Sequence, residues 1–257
     1  MKREEGPIHV AKRCLVPGGH TLSADRLVAL QSLRQVALLQ GLSEEVLADV
    51  VQAGSFKRYR ARQELFARDD VDRDCFVVLA GRLRAVAWSP SGREVSFRDV
   101  EAGQTIGEMS AIDGRPRSAS VVALVDSLVL RLTPETLNGL MRRHWPVCER
   151  MLQHLAASAR DMTARVYELS ALGVQQRLCA ELLRLTIADS SSGDRALIKP
   201  TPSHSEMAAR IGCTRPQVTR ELAELERLGL IERGDSRLTV ADLQRLAEHV
   251  ERPFSSA

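Results

Sequence analysis

Two residues of opposite charge sit nine apart inside a mostly apolar stretch, "IGEMSAIDGRPRSASVV" at 106–122: Glu108 and Arg117. A carboxylate can accept from sugar hydroxyls, the role an acid plays toward ribose in dinucleotide sites. A guanidinium offers a planar fork of donors that fits a phosphate. Gly107 lets the backbone approach a ligand, and the turn through Met109 and Ser110 can present amide donors of a helix start to an anion. Ser118 adds a hydroxyl donor, next to Ala119. The chemistry on offer is a clamp, sugar at one end and phosphate at the other. On these two residues alone, an internal Glu108–Arg117 ion pair closing a surface loop is the simpler reading.

A second constellation lies near the C-terminus. Ser203 and Glu206 in "SHSE" have the spacing of a capping box that starts a short helix over 204–210. Gly212 supplies a tight turn, and Thr214 can cap the next helix, "RPQVTRELAELERLG", which ends at Gly229. Ala208, Gly212 and Val218 stand where a helix-turn-helix needs a small residue, a turn glycine and an apolar contact. Val218, Leu222, Leu225 and Gly229 share one face and should pack inward, with Pro216, Thr219, Arg220 and Arg227 on or near the other. "LIER-GDS-RLTV" then reads as a hairpin, the wing of a winged helix-turn-helix.

A recognition helix presents its N-terminal residues to base edges, and arginine is the commonest reader of guanine. The residues so placed are Arg215, Pro216, Gln217, Thr219 and Arg220, with Ser203 and Thr214 at the helix starts. A winged helix used for protein contacts, or a plain helical hairpin, are the alternatives. From 171 to 257 there are twelve Lys and Arg against twelve Asp and Glu, so placement must carry the argument. Arg210, Arg215, Arg220, Arg233 and Arg237 are expected on one side, with Glu221, Glu224, Glu226 and Glu248 elsewhere. Modest phosphate attraction suits a protein that needs two copies to bind well.

The elements between and around these sites follow from texture. Residues 1–25 have no sustained period and read as an extension. From 26 to 52 apolar residues recur at helical spacing, broken at Gly41, with Ser43 capping the next turn. From 54 to 132 short apolar stretches alternate with turn signals, including Gly81, Gly92 and Gly103, which predicts a small antiparallel barrel or roll. Thr133-Pro134 starts a helix, and Pro146 opens a longer one to about Leu172. Its Val147, Met151, Leu155, Met162, Val166 and Leu169 form a narrow stripe. That pattern fits equally a seam between paired helices and a core helix of its own domain. The fold class expected is α+β: β-roll at 26–145, long helix at 146–172, winged helix-turn-helix at 173–250 and a tail at 251–257.

Composition excludes several classes. The 257 residues are 44% hydrophobic and 27% charged, with net charge +3, as in soluble globular proteins. No apolar run approaches the ~18–20 residues of a membrane span, and the N-terminus lacks the apolar core of a secretory signal, so a cytoplasmic location is expected. The cysteines at 14, 75, 148, 179 and 213 form no metal-clip spacing, and the six histidines are scattered, so neither metal nor iron–sulfur cluster is expected. The Glu108–Arg117 arrangement supplies no nucleophile, and an enzyme is not expected.

"IGEMSAIDGRPRSASV" resembles the phosphate-binding cassette of cyclic-nucleotide-binding domains, and "CFVVLAGRLRAV" upstream is similar to a core stretch of the same domains. "GCTRPQVTREL" resembles the recognition segment of Crp–Fnr transcription regulators, the cyclic-AMP receptor protein family. The resemblance covers roughly 36–245 and favours the seam between paired helices. It implies a homodimer controlled by cyclic AMP or cyclic GMP, binding double-stranded DNA at a pseudo-palindromic operator, with RNA polymerase as a partner and no membrane. Glu108 would hold the ribose hydroxyl, Arg117 and Ser118 the cyclic phosphate, and Arg215 and Arg220 would reach bases or phosphates.

There are departures from the pattern. A Thr-Ser pair that contacts adenine in the family falls on Met162-Thr163, which puts base selectivity in question. Pro216 stands where the best-known member has a glutamate and cannot accept from cytosine, so a different half-site is expected. Only Cys14 occupies the region where the Fnr branch clusters cysteines. The readings left beside this one are a regulator answering to another ligand or none, and a cyclic-nucleotide module acting on a protein partner.

Overall fold

The structure, a computed structural model, describes residues 32–187, 194–234 and 237–251. The expectations placed on 1–25, on Cys14, on the first residues of the 26–52 stretch and on most of the 188–194 loop lie outside those residues.

A 3₁₀ turn at Ala37–Leu39 leads into α1 (Glu44–Ala53), whose cap Ser43 accepts from the Val46 amide. Eight strands follow: β1 (Ser55–Tyr59), β2 (Glu64–Phe66), β3 (Cys75–Ala80), β4 (Arg82–Trp88), β5 (Glu94–Glu101), β6 (Thr105–Ile106), β7 (Ser120–Ala123) and β8 (Ser127–Leu132). They form two four-stranded antiparallel sheets, β1-β8-β3-β6 and β2-β7-β4-β5. The tight turn at 89–92 joins β4 to β5, with Gly92 at positive φ and its amide donating to the Ser89 carbonyl. Between β6 and β7 lies one short helix, α2 (Glu108–Asp113).

"CFVVL" is buried at all five positions because β3 is covered on both faces. Phe76 and Val78 face the second sheet with Phe66, Leu83, Val100 and Val121. Val77 and Leu79 face the helices, with Leu39, Leu47, Leu137 and Met151.

Thr133 caps α3 (Pro134–Arg143), and α4 (Trp145–Ala171) runs for 27 residues, about 40 Å at 1.5 Å per residue. The apolar stripe of α4 divides along its length. Val147 and Met151 are fully buried and Leu155 partly so, all in the core of their own domain. Met162, Val166 and Leu169 are 46%, 63% and 52% exposed. The reading as a core helix of its own domain thus holds for the first half of α4, and the second half leaves its apolar residues exposed in the single chain.

The remaining unit contains α5 (Val174–Ile187), β9 (Ala196–Ile198), α6 (His204–Ile211), α7 (Arg215–Arg227), the wing strands β10 (Ile231–Gly234) and β11 (Arg237–Val240), and α8 (Leu243–Glu251). The wing pairs with β9 to make a three-stranded sheet. Leu178, Leu182, Met207, Val218, Leu222, Leu225 and Leu246 build a separate core.

Candidate functional site

Gly107 is the N-cap of α2 and sits at φ +85°, a conformation glycine adopts without steric cost. A Cβ there would lie 2.7 Å from Nη1 of Arg117 and from the Asp74 carbonyl oxygen. The close approach this glycine permits is therefore that of a guanidinium, where the sequence suggested a ligand. Glu108 and Ser110 point inward and are buried, whereas Met109 is 51% exposed.

Glu108 and Arg117 do not pair with each other. Glu108 Oε1 lies 3.3 Å from His154 Nε2 on α4 and 3.5 Å from Arg98 Nη2 on β5. Burial alone would raise its carboxyl, but His154 and Arg98 outweigh that and hold it below the ordinary glutamate range. Its other oxygen, Oε2, is buried and has no partner among the described residues.

Arg117 is 2% exposed. Nη1 donates to the Gly107 carbonyl at 3.0 Å, and Nη2 to Asp72 Oδ2 at 3.0 Å and to the Asp74 carbonyl at 2.6 Å. Its guanidinium lies 4.0 Å from the centre of the Phe66 ring, which itself stacks on Phe76 at 5.7 Å. Nε, by contrast, is buried and unpartnered. The loop at 67–74 is stitched to this segment by reciprocal backbone bonds, Asp69 N to Arg117 O and Arg117 N to Asp70 O, each 2.9 Å.

Ser118 is exposed, with only a 3.9 Å contact to the Met109 sulfur, and Ala119 is half-buried. Met162 and Thr163 are exposed on α4, Thr163 donating back to the Ala159 carbonyl, and no hydrogen bond ties either to the cassette. Arg98, His154, Asp72 and Asp74 were not singled out from the sequence. One signal for His154 was available: it falls between Met151 and Leu155, three and one residues away on the inward face of α4.

In the winged unit, Ser203 accepts from the Glu206 amide and Glu206 from the Ser203 amide, completing the capping box. At α7 Thr214 is the N-cap, as expected, and Gln217 three residues on forms a capping box with it. The Gln217 side chain accepts from both the amide and the hydroxyl of Thr214, each at 2.9 Å. Arg215, Pro216 and Thr219 are exposed, Gln217 half so. Thr219 Oγ1 lies 2.8 Å from His204 Nδ1, bridging α7 to α6.

Arg210 departs from the expected one-sided set of arginines, and Arg220 and Arg233 each contact a glutamate expected elsewhere. Arg220 contacts Glu221 at 3.4 Å, Arg227 contacts Glu224 at 2.6 Å, and Arg233 pairs with Glu226. Arg210 turns toward the β-roll, where it meets Asp99 on β5 and, at 2.9 Å, Glu181 on α5. Asp99 also accepts from Arg84 at 2.6 Å, and Arg84 reaches Glu206 at 3.3 Å. A helical wheel places Arg210 outward; packing of α6 on β5 turns it into an inter-unit ion network. Arg215 keeps an exposed guanidinium without an ion pair among the described residues.

Cys75, Cys179 and Cys213 are buried free thiols and Cys148 is partly buried. Among the described residues no group of His, Cys, Asp and Glu could hold a metal ion, and no helix is long and apolar enough to cross a membrane.

Residues 56–144 match the family model of the cyclic nucleotide-binding domain, and 176–249 that of the Crp-like helix-turn-helix domain, together more than half of the chain. The chain is 28% identical to the cyclic AMP receptor protein of Thermus thermophilus over 211 residues, 82% of this chain and 95% of that one. It is also 28% identical to the transcriptional regulator LdrP of the same organism over 190 residues, 74% of this chain and 94% of that one. A solved CRP-family transcriptional regulator, again from Thermus thermophilus, superposes with a TM-score of 0.62 at 25% identity, covering 78% of this chain and all of the other. Two domain models in the same order, joined by one long helix, make this chain a member of the Crp–Fnr family: a DNA-binding transcriptional regulator with a domain of the cyclic-nucleotide-binding type.

Proposed function

We propose that the chain acts as a homodimer whose β-roll takes a cyclic mononucleotide, cyclic AMP or cyclic GMP, and whose α7 reads double-stranded operator DNA. The observation that carries the effector reading is a pair of atoms in one cassette. Glu108 Oε2 is a buried acceptor without a donor, and Arg117 Nε a buried donor without an acceptor. Leaving such groups unmatched costs ~1–3 kcal/mol each. A ligand with a hydroxyl and an anionic oxygen on one small ring satisfies both. Among the described residues four further guanidinium nitrogens share this condition elsewhere, so the weight rests on the complementary pair. Ser118, with its hydroxyl in solvent, adds a second contact to the phosphate.

The dimer reading rests on the distal half of α4. Met162, Val166, Tyr167 and Leu169 are all more than 40% exposed, which is apolar surface a single chain leaves in water. A second copy laid along it buries that surface and sets two α7 helices on one duplex, the arrangement a two-fold operator requires. RNA polymerase is the partner such a DNA-bound dimer addresses, and an enzymatic role is not part of this reading.

The test is titration calorimetry with cyclic AMP, cyclic GMP and the bulkier cyclic di-GMP. Arg117→Ala is a poor control, because it strips three acceptors of their donor and leaves a hole over Phe66. Glu108→Gln and Ser118→Ala keep the shape. Micromolar binding of a cyclic mononucleotide, weakened at least tenfold in Glu108→Gln, supports the reading. No mononucleotide binding by the folded chain overturns it.

A further inference from the structure

The cassette does not end at the β-roll. His154 belongs to α4, yet its Nε2 reaches the same carboxylate that a ligand hydroxyl would use, 46 residues away in sequence. Eleven residues along α4, three helical turns and so nearly the same face, Arg165 makes the next polar contact with the roll. Its Nη1 donates to the Phe97 carbonyl at 3.1 Å and its Nη2 to the Ser96 carbonyl at 3.4 Å, both on β5. Nη2 also donates to the Arg210 carbonyl on α6. One face of one helix thus touches the candidate effector site at His154 and the DNA-binding unit at Arg165.

The geometry points to His154 as the positioning residue through which occupancy of the Glu108 site is passed to α4 and on to the winged unit. This rests on the reading that a ligand hydroxyl donates to Glu108. The two oxygens of that carboxylate are divided: Oε1 faces His154 and Arg98, and Oε2 is unpartnered. With Oε2 unpartnered, the carboxylate is anchored at one end only. A hydroxyl on Oε2 fixes both ends and so fixes the acceptor that His154 uses. The loss of side-chain freedom is then already complete when the His154 bond tightens, so the two contacts reinforce one another. Such reinforcement is a coupling free energy, and it is reciprocal: what strengthens the grip of α4 on the roll also strengthens effector binding. Arg98 shares Oε1 from β5, and its other hydrogen bond stays within the roll, to the Thr105 carbonyl.

The experiment measures the affinity of the full-length chain for operator DNA selected from a random library, with and without saturating cyclic mononucleotide. It is run for the unsubstituted chain, His154→Ala and His154→Gln, alongside calorimetry of the nucleotide itself. The unsubstituted chain should show an effector-dependent change of about 5–150-fold, the ordinary range of such coupling. In His154→Ala that ratio should fall to within about twofold of one. In His154→Gln, whose amide can still donate to Oε1, it should recover to at least half of its logarithm. A role confined to stability would lower the unfolding midpoint without moving the ratio. An unchanged ratio in a folded His154→Ala chain that still binds nucleotide overturns this inference alone. Absence of nucleotide binding by the unsubstituted chain overturns the effector reading and this inference with it.

Discussion

Asp72 supplies to Arg117 what a phosphate would: a carboxylate oxygen 3.0 Å from Nη2. Burial alone would raise the Asp72 carboxyl; the guanidinium beside it holds it below the ordinary aspartate range. Since Asp72 is 45% exposed, it can leave without opening the core. Asp72→Asn removes the competing charge while keeping an oxygen in place. The expected result is a three- to tenfold tightening of cyclic-nucleotide binding by calorimetry; weaker binding would show that Asp72 orients the guanidinium instead of competing for it. Little of this was legible in the sequence. "GE" and "RS" mark the cassette because the residues that define it are local in the chain. Asp72 and His154 lie 45 and 46 residues from the groups they touch, and no local pattern reports a contact that only tertiary packing creates.

At the level of elements, the caps and periods are legible in the sequence because they are local physics. Ser43, Thr133 and Ser203 each sit at a helix N-cap and accept from an amide three residues on. On the inward face of α7, Val218, Leu222 and Leu225 are fully buried as their spacing requires. Gly229, expected with them, is exposed because the helix ends before it and the chain turns there at φ +71°. What the period could not show is where the buried stripe of one helix ends, as that of α4 does after Leu155. Val166→Asp puts a charge on the exposed half of α4 and leaves the domain core untouched. Sedimentation should then show a monomer, with DNA affinity down at least tenfold because each copy reaches a single half-site. An unchanged oligomer would place the dimer seam elsewhere. On α7, Arg215 is the guanidinium best placed for base or phosphate, since Arg220 and Arg227 already contact glutamates. Arg215→Ala should cost about 1–3 kcal/mol of operator binding and relax base preference at one position. A uniform loss across sequences, with a smaller salt slope, would assign it to a phosphate instead.

At the scale of the molecule, the winged unit rests on the β-roll through buried charge: Arg84, Asp99, Arg210 and Glu181, with Glu206 at the edge. Arg84 and Glu181 are each 3% exposed at the side chain. A network this dry is satisfied in one register of the two units, and removing one member leaves charges buried without partners. Burial alone would raise the Asp99 carboxyl, yet its hydrogen bonds to Arg84 and the charge of Arg210 hold it below the ordinary value of 3.8. A carboxyl depressed in the folded state contributes stability that is fully present above its unfolded value. That contribution disappears as pH falls through the folded one. Asp99→Asn should therefore lower the unfolding free energy by about 2 kcal/mol at pH 7, leaving two guanidinium groups facing a neutral amide. The difference between the two proteins, followed by urea unfolding, should hold constant from pH 7 to about 5. It should then narrow below the ordinary aspartate value, as the unsubstituted chain loses the same charge by protonation. A difference that stays constant to pH 3 would show that Asp99 contributes by packing, and that the register of the two units is set by something other than this network.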